Sequence, residues 1–191
     1  MLALLRKLGV ALAVGTAKAA PRAVAPVPVA VTRTAAKPGS RLKRSAAAAA
    51  LCTSLVGGFE GLRTAAYPDP ATGREPWTVC YGETAGVKRG DVYTVAQCKE
   101  MLAKSLEGYA LRMEACVTRP MADETYAAFL SLSYNIGSGG FCKSSVVRLW
   151  NAGETRAACD AMLKFNRAAG VVMPGLTRRR TQERALCLKG A

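Results

Sequence analysis

The chain has 191 residues, enough for one domain of ordinary size and an additional segment. It carries 27 Lys and Arg against 13 Asp and Glu, a net charge of +14, and residues 1–50 hold nine basic residues and no acidic one. The chain contains no histidine, which excludes Ser-His-Asp and Cys-His hydrolases and His-ligated zinc enzymes. Acid–base chemistry must therefore come from carboxylates, Tyr, Lys or Cys.

The first 44 residues form a basic leader rich in Ala, Val and Pro, within which residues 21–40 are expected to be an extended linker. Two apolar runs, Leu8 to Val14 and Ser45 to Gly58, each follow basic residues, which is the order of a secretory signal. Neither reaches the roughly 20 apolar residues that span a bilayer comfortably. Either run can be the export signal. We divide the chain into a leader and linker (1–44), an Ala-rich signal- or anchor-like segment (45–58) and a globular domain (59–191).

Beyond the leader, periodic apolar residues predict a series of helices. The first helix runs into Glu60 and carries one apolar face at Leu51, Leu55, Phe59 and Leu62. Residues 64–90 are rich in Pro and Gly, which break any helix. Within this region, Thr78 to Tyr81 can form one strand of a small hairpin.

The rest of the chain shows clear helix start and stop signals. Thr94 and Gln97 form a capping-box pattern that opens a long helix through Cys116. Later helices are predicted from Asp123 as a cap to a stop at Gly137, over Ser144–Asn151, over Thr155–Ala169 before Gly170, and from Thr177 to Gly190. The fold class is therefore α+β, mostly α-helical, with one small β-hairpin region near the front.

Six of the seven cysteines are scattered through the globular part, and no two are two to four residues apart. This spacing is unlike zinc or thioredoxin-type motifs and suits a disulfide framework in an oxidising compartment. Buried thiols in a reduced protein are the alternative. Six cysteines allow fifteen pairings; joining neighbours in order gives Cys80–Cys98, Cys116–Cys142 and Cys159–Cys187. Cys52, the seventh, lies in the apolar segment 45–58.

Two carboxyl groups near the first helix suggest chemistry on a glycosidic bond. Glu60 ends an apolar helix, where partial desolvation keeps a carboxyl protonated as a general acid. Asp69 lies between Pro68 and Pro70, on a loop where a carboxylate stays solvated and ionised. One group then protonates the leaving oxygen while the other orients water or stabilises positive charge, and the Thr78 hydroxyl can hold that water. The simpler interpretation is a solvated helix end and a turn-forming aspartate.

Five longer sequence segments are more specific than the spacing of the two carboxyl groups. They are Phe59-Glu60-Gly61-Leu62-Arg63, Tyr67-Pro68-Asp69, Trp77-Thr78-Val79-Cys80-Tyr81-Gly82-Glu83-Thr84, Ser133-Tyr134-Asn135-Ile136-Gly137 with Gly140-Phe141, and Gly175-Leu176-Thr177-Arg178-Arg179-Arg180 with Glu183-Arg184. In this order, over roughly residues 58–190, they closely resemble the phage lysozyme family, glycoside hydrolase family 24.

The resemblance implies a lysozyme-like fold of two lobes, a small α/β lobe and a larger helical lobe joined by a long helix, for which residues 94–116 are the candidate. It implies that Glu60 is the acid, Asp69 the second carboxylate and Thr78 the third member of the site. Asn135 falls where the family has an amide that contacts the sugar. The family precedent is inverting hydrolysis, with the threonine helping to place the water and with no metal or cofactor.

Two departures from the family pattern stand near the site. Eight residues separate Asp69 from Thr78, where the family usually has five. Glu83 stands where the family often has His, which is expected to remove a structural ion pair rather than a catalytic group. The basic cluster Arg178 to Arg180 is expected to be a solvated or capping face at a helix start.

The resemblance also bears on the apolar segment. Several members of the family are exported by a weakly hydrophobic signal-anchor directly before the catalytic Glu, and residues 45–58 look like that element. While this segment lies in the membrane, Glu60 would be held at the bilayer surface and the cleft would not assemble. Some relatives use a cysteine in the anchor as a disulfide switch. Cys52, with Cys80 as its partner, is the candidate for such a switch here. The alternative is that Cys52 is a thiol without a function in an Ala-rich helix.

We therefore expect a monomeric peptidoglycan hydrolase, exported to the host periplasm, that cleaves the β-1,4 bond between N-acetylmuramic acid and N-acetylglucosamine for lysis by a phage. The bond specificity comes from the resemblance. The alternatives are a lytic transglycosylase and a non-catalytic cationic protein that binds membrane or glycan. A nucleic-acid partner is not expected, because the basic leader lacks interleaved aromatic residues although its charge alone favours non-specific binding.

Overall fold

A computed structural model of the chain describes residues 39–68, 73 and 75–191. The apolar run Leu8 to Val14, the linker 21–38 and Asp69 lie outside the described residues. The helices are α1 Arg41–Arg44, α2 Ala46–Glu60, α3 Val95–Cys116, α4 Asp123–Ile136, α5 Ser138–Cys142, α6 Ser145–Asn151, α7 Thr155–Ala161 and α8 Pro174–Lys189, with a 3₁₀ turn at Met162–Lys164. The strands are β1 Arg63–Pro68, β2 Trp77–Cys80, β3 Arg167–Ala168 and β4 Val171–Val172. The predicted class, α+β and mostly helical with a small hairpin near the front, is confirmed, and the structure adds a second strand pair, β3 and β4, that was not predicted.

Helix α2 carries the Ala-rich segment into the protein core. It begins after Ser45, whose hydroxyl accepts a hydrogen bond from the Ala48 N–H at 3.1 Å. Its fully buried residues are Ala48, Cys52 and Val56, four apart, rather than the predicted face of larger residues. The small side chains of this stripe let α2 lie close against α4. Among the described residues, no helix is long and apolar enough to cross a membrane.

The small lobe is built on one antiparallel hairpin. Strands β1 and β2 pair Tyr67 with Thr78 and Pro68 with Trp77, and the register shifts toward Arg63 and Cys80. The predicted strand 78–81 is confirmed one residue earlier. A disulfide between Cys80 and Cys98 fixes the end of β2 to the start of α3.

Helix α3 joins the hairpin to the helical lobe, as the resemblance implies. Its capping box is present, since the Gln97 N–H donates to the Thr94 hydroxyl and the Thr94 N–H donates to the Gln97 side chain. With 22 residues, α3 is about 33 Å long. Its buried residues, at intervals of three and four, are Cys98, Leu102, Leu106, Ala110 and Met113.

Helix α4 forms the centre of the helical lobe, where it packs against α2, α3 and α8. Every residue from Thr125 to Ser133 is buried. The Phe129 ring lies 5.6 Å from the Phe141 ring and 5.3 Å, edge-on, from the Trp150 ring, both distances between centroids. The core of the molecule is therefore an aromatic cluster around α4.

Three predicted helix boundaries are wrong. Asp123 is the first residue of α4 and not its cap, because its carboxylate is paired with Arg41 at 2.6 Å. The helix from Thr155 ends at Ala161, and β3 and β4 follow, because Ala169 and Gly170 both have positive φ and form a tight turn. Helix α8 begins at Pro174, three residues before Thr177, since a proline in the first turn needs no hydrogen-bonded N–H.

The disulfides join neighbouring cysteines in order, as predicted: Cys80–Cys98, Cys116–Cys142 and Cys159–Cys187. Cys52 is free and fully buried in α2. It is not paired with Cys80, because that sulfur is already bonded to Cys98. Burial, and then the charge of Asp123, raises the pKa of the Cys52 thiol to about 12.

Candidate active site

Glu60 is the last residue of α2 and lies where the chain turns into β1. Gly61 ends the helix with a φ of +72°, a backbone conformation that favours glycine. The Glu60 side chain is 22% exposed, and its Oε1 lies 2.7 Å from Nη1 of Arg179. The same guanidinium lies 4.8 Å from the centre of the Phe59 ring. The end of α2 is thus held against α8 by one arginine.

Arg179 and Arg180 are buried, which corrects the prediction that residues 178–180 form a solvated or capping face. Their exposed fractions are 6% and 0%, while Arg178 is exposed. Both buried arginines contact Glu183, which is itself fully buried. Arg179 Nε lies 3.0 Å from one Glu183 oxygen and Arg180 Nε lies 2.9 Å from the other. The hydroxyl of Ser131 donates a hydrogen bond to Glu183 at 2.6 Å.

The members of this charge cluster depend on one another for their partners. Burial raises the pKa of Glu183, and burial lowers the pKa of Arg180 to about 10 although Glu183 opposes the change. A buried charge is costly when its partner is removed. The cluster therefore holds Arg179, the partner of Glu60, in a fixed position.

Asn135 lies at the far end of the same cluster. Its side-chain oxygen accepts a hydrogen bond from Arg180 Nη2 at 3.0 Å, and the residue is exposed near the end of α4. Two residues predicted for the site, Glu60 and Asn135, are therefore connected through Arg179, Glu183 and Arg180. The assigned oxygen leaves the amide N–H groups of Asn135 available to a ligand.

Glu60 and Asn135 line one cavity of about 300 Å³ between the hairpin lobe and the helical lobe. Its remaining lining residues are Gly82, Glu83, Thr84, Ala85, Ser105, Tyr109 and Tyr134. A second cavity of about 370 Å³ follows α3 and shares four of these residues with the first. Together they form an extended cleft, which we call the interlobe cleft below.

The other two residues predicted for the site are Thr78 and Asp69. Thr78 lies on β2 with an exposed fraction of 8% and is not among the residues that line the cavity around Glu60. Asp69 directly follows the last residue of β1 in the sequence and lies outside the described residues. The structure thus brings Glu60 and Asn135 together.

Arg179, Glu183 and Ser131 were not predicted as site residues from the sequence. The sequence does contain a pattern that could have indicated Arg179 and Glu183. They are four residues apart and so lie on the same face of a helix, where they can form an ion pair. Nothing in the local sequence separates the buried Arg179 from the exposed Arg178. Within the residues that the structure describes, no group of three or more Cys, Asp or Glu is arranged to hold a metal ion.

Comparison with known proteins agrees with this architecture. The phage lysozyme family model matches residues 57–183. The SAR-endolysin of Enterobacteria phage P21 is 35% identical over 134 residues, which cover 70% of this chain and 79% of that protein.

Solved structures of this kind also match. The muramidase domain of SpmX from Asticaccaulis excentricus superposes with a TM-score of 0.67 at 29% identity, over 72% of this chain and 94% of that one. A P22 lysozyme mutant superposes with a TM-score of 0.65 at 30% identity, over the same shares. The chain therefore belongs to the phage lysozyme family and is an endolysin, a glycosidase that degrades peptidoglycan.

Proposed function

We propose that Glu60 is the general acid of this lysozyme and that the enzyme cleaves the β-1,4 bond between N-acetylmuramic acid and N-acetylglucosamine. The observation that carries the proposal is the asymmetric environment of the Glu60 carboxyl. Its Oε1 is held by Arg179, whereas Oε2 lies on the side of Gly82, where an added Cβ would be 3.9 Å away. Oε2 is thus free to deliver a proton to the glycosidic oxygen of a sugar in the cleft.

Three further residues complete the proposed site. Asp69 is the second carboxylate and Thr78 positions the attacking water. Their relation is supported by the hairpin register, because Asp69 follows Pro68 in the sequence and Pro68 pairs with Trp77, the neighbour of Thr78. Asn135 donates its amide hydrogens to the sugar, since its oxygen is occupied by Arg180. All of these residues belong to one chain, which supports action as a monomer.

The test is clearing of outer-membrane-stripped bacterial cells by purified residues 39–191. Glu60→Gln keeps the size of the side chain and its contact with Arg179 but removes the transferable proton, so we expect lytic activity to fall at least about a hundredfold. Glu100→Gln makes the same change on the exposed side of α3 and is the matched control. Near-wild-type clearing by Glu60→Gln would remove Glu60 from the proposed role.

The released sugar ends separate hydrolysis from the alternatives. Hydrolysis leaves reducing N-acetylmuramic acid ends, whereas a lytic transglycosylase leaves anhydro ends. The anomer formed first distinguishes inverting from retaining chemistry. A non-catalytic cationic protein would release neither kind of end while still clearing cells by membrane damage.

We further propose that residues 45–58 first tether the exported protein to the inner membrane and are later released into the periplasm. The SAR-endolysin relatives and the weakly apolar composition of the segment support this step. In the folded domain, Ala48, Cys52 and Val56 are fully buried against the helical lobe. The same side chains cannot contact lipid and the protein core at once, so the tethered enzyme would lack an assembled site.

The basic residues before the segment support a defined docking of α2 after release. The segment Ser40–Arg44 forms ion pairs and hydrogen bonds with three carboxylates, those of Glu107, Glu114 and Asp123. Asp123 pairs with Arg41 at 2.6 Å, and Glu114 accepts from the Arg41 N–H at 2.7 Å. Glu107 accepts from both the N–H and the hydroxyl of Ser40. We call these three residues the carboxylate trio.

A triple variant tests the tether without changing the buried face of α2. Ala47, Ala50 and Ser54 are exposed, so replacing them with Leu makes the segment more apolar and is expected to hold the full-length protein in the membrane fraction and delay lysis. Replacing the same three with Gln, which is of similar size, is the control. Equal release of the Leu and Gln proteins would contradict the tether.

A further inference from the structure

A second acidic side chain, Glu83, lies in the wall of the interlobe cleft. It follows β2 on a tight turn in which the Val79 N–H donates to the Glu83 carbonyl at 2.9 Å and the Glu83 N–H donates to the Val79 carbonyl at 3.0 Å. Gly82, with a φ of +94°, makes this turn possible. The backbone therefore fixes the point from which the Glu83 side chain enters the cleft.

Among the described residues, the Glu83 carboxylate accepts one hydrogen bond. The hydroxyl of Ser105 on α3 donates to its Oε1. No ion pair to Glu83 is formed within the part of the chain that the structure describes, in contrast to Glu60 and Glu183. A carboxylate has about four acceptor positions on its two oxygens, so most of the capacity of Glu83 is directed toward the cleft.

Glu83 lies where the two parts of the interlobe cleft meet. It lines the cavity of Glu60 and also the cavity along α3 that includes Lys104 and Arg112. Burial, followed by the charges of Glu83 and Glu60, raises the pKa of Tyr134 well above its ordinary value. Glu60, Glu83 and Tyr134 line the same cavity, and the Tyr134 hydroxyl donates to the Tyr81 carbonyl at 3.1 Å.

A ligand that covers the cleft removes water from this carboxylate. Desolvation of a charged acceptor is costly unless the ligand supplies hydrogen-bond donors. The donors of an uncharged amino sugar are its hydroxyl groups and its acetamido N–H. The carboxylates of a peptide stem would instead be repelled by Glu83.

We propose that Glu83 is a glycan-binding residue that accepts hydrogen bonds from the hydroxyl or acetamido N–H groups of an uncharged amino sugar next to the cleavage point. The proposal rests on the proposed function, because it takes the cleft of Glu60 as the glycan site. It assigns Glu83 to holding the substrate and directs the acidic peptide stems away from this wall.

The test measures binding separately from catalysis. The dissociation constant of an N-acetylglucosamine oligosaccharide, which carries no carboxylate, is measured for Glu60→Gln and for Glu60→Gln combined with Glu83→Gln. Gln keeps the shape of the side chain and can still accept from Ser105, but it loses the charge. We expect binding to weaken about tenfold, as for the loss of one charged hydrogen bond. Glu60→Gln combined with Glu100→Gln is the control and should bind unchanged.

Kinetics of the single variant Glu83→Gln give a second readout. A glycan-binding role predicts that KM for soluble peptidoglycan rises about tenfold while kcat changes less than about twofold. Unchanged affinity in the double variant would overturn the proposal. A fall in kcat with unchanged affinity would also overturn it and would place Glu83 in the chemistry. Lysis by Glu60→Gln at the wild-type rate would instead contradict the proposed function of Glu60, a result that the binding comparison does not depend on.

Discussion

The guanidinium of Arg179 lies 2.7 Å from the carboxylate of Glu60, a residue 119 positions away in the sequence. Behind it, Glu183 contacts the same guanidinium at 3.0 Å and Ser131 accepts from it through its carbonyl at 3.1 Å. The orientation of the proposed acid therefore depends on α8 and α4, which fold around the helix that carries it. We therefore expect docking of α2 to bring Glu60 into contact with Arg179.

Arg179→Lys is expected to lower lytic activity by at least about tenfold. A lysine keeps the positive charge but cannot donate to Glu60, Glu183 and Ser131 together, because it lacks the planar fork of the guanidinium. The free energy of unfolding should also fall by about 1–3 kcal/mol, since buried acceptors lose their donors. Turbidity clearing and chemical unfolding measure the two effects.

Arg178→Lys is the matched control for this variant, because Arg178 is the exposed neighbour in the same helix. It should leave both activity and stability within experimental error of the wild type. Full activity in Arg179→Lys would mean that Glu60 is positioned by other contacts.

Arg41→Gln is expected to lower the free energy of unfolding by about 1–3 kcal/mol. The change removes the ion pair with Asp123 and the 2.7 Å hydrogen bond to the Met121 carbonyl, and it leaves the carboxylate trio with one fewer cation. Urea unfolding of residues 39–191 measures it. Arg89→Gln, on an exposed loop, should change stability little. Equal stability of the two variants would show that the basic residues before α2 do not help to dock it.

Glu107 makes stability depend on pH on the acidic side. Burial acts to raise its pKa, but hydrogen bonds from Ser40 and the charges of Lys43 and Arg44 outweigh burial, so the net shift is downward. The folded-state pKa of Glu107 lies below its unfolded-state pKa. At pH values between these two pKa values, the unfolded chain therefore binds more protons than the folded protein. The contribution is therefore fully present above about pH 4.5 and is lost as pH falls through the folded-state pKa.

We expect Glu107→Gln to flatten the fall in unfolding free energy below about pH 4.5 while it also lowers stability at neutral pH. Unfolding curves collected at a series of pH values provide the measurement. Glu100→Gln, on the exposed side of the same helix, should retain the wild-type slope. A slope that is the same with and without Glu107 would show that this carboxyl has the same affinity for protons in both states.

The Cys52 thiol is expected to resist alkylation in the folded enzyme. It is fully buried, and its pKa is raised to about 12, so it is neither accessible nor ionised at neutral pH. Mass spectrometry after iodoacetamide treatment should find no modified cysteine in native protein and one in unfolded, non-reduced protein. Fast labelling of the native protein would mean that α2 leaves the core readily, and Arg41→Gln should then label faster still.

Some of these features follow from local sequence, and others do not. The capping box at Thr94 and the stop at Gly137 were predicted correctly because each is a short-range hydrogen-bonding or backbone effect. The helix from Thr155 was extended too far, because two small strands pair across the turn at Ala169 and Gly170. The prediction of Asp123 as a helix cap is wrong because its carboxylate pairs with Arg41. Arg41 is distant in the sequence, so the local sequence around Asp123 does not show this contact.

By itself, the sequence determined the helical class, the helix that ends at Glu60 and the family. These depend on residue spacing and on motifs that are read along the chain. Only the tertiary structure decided which cysteines pair, that Arg179 and Arg180 are buried while Arg178 is exposed, that Glu60 is joined to Asn135 through a charge cluster, and that Glu83 lines the interlobe cleft. Burial and ion pairing depend on which distant segments pack together, and the local sequence does not show this. Neighbouring arginines lie on different faces of one helix, so one can be exposed to solvent while the next is buried.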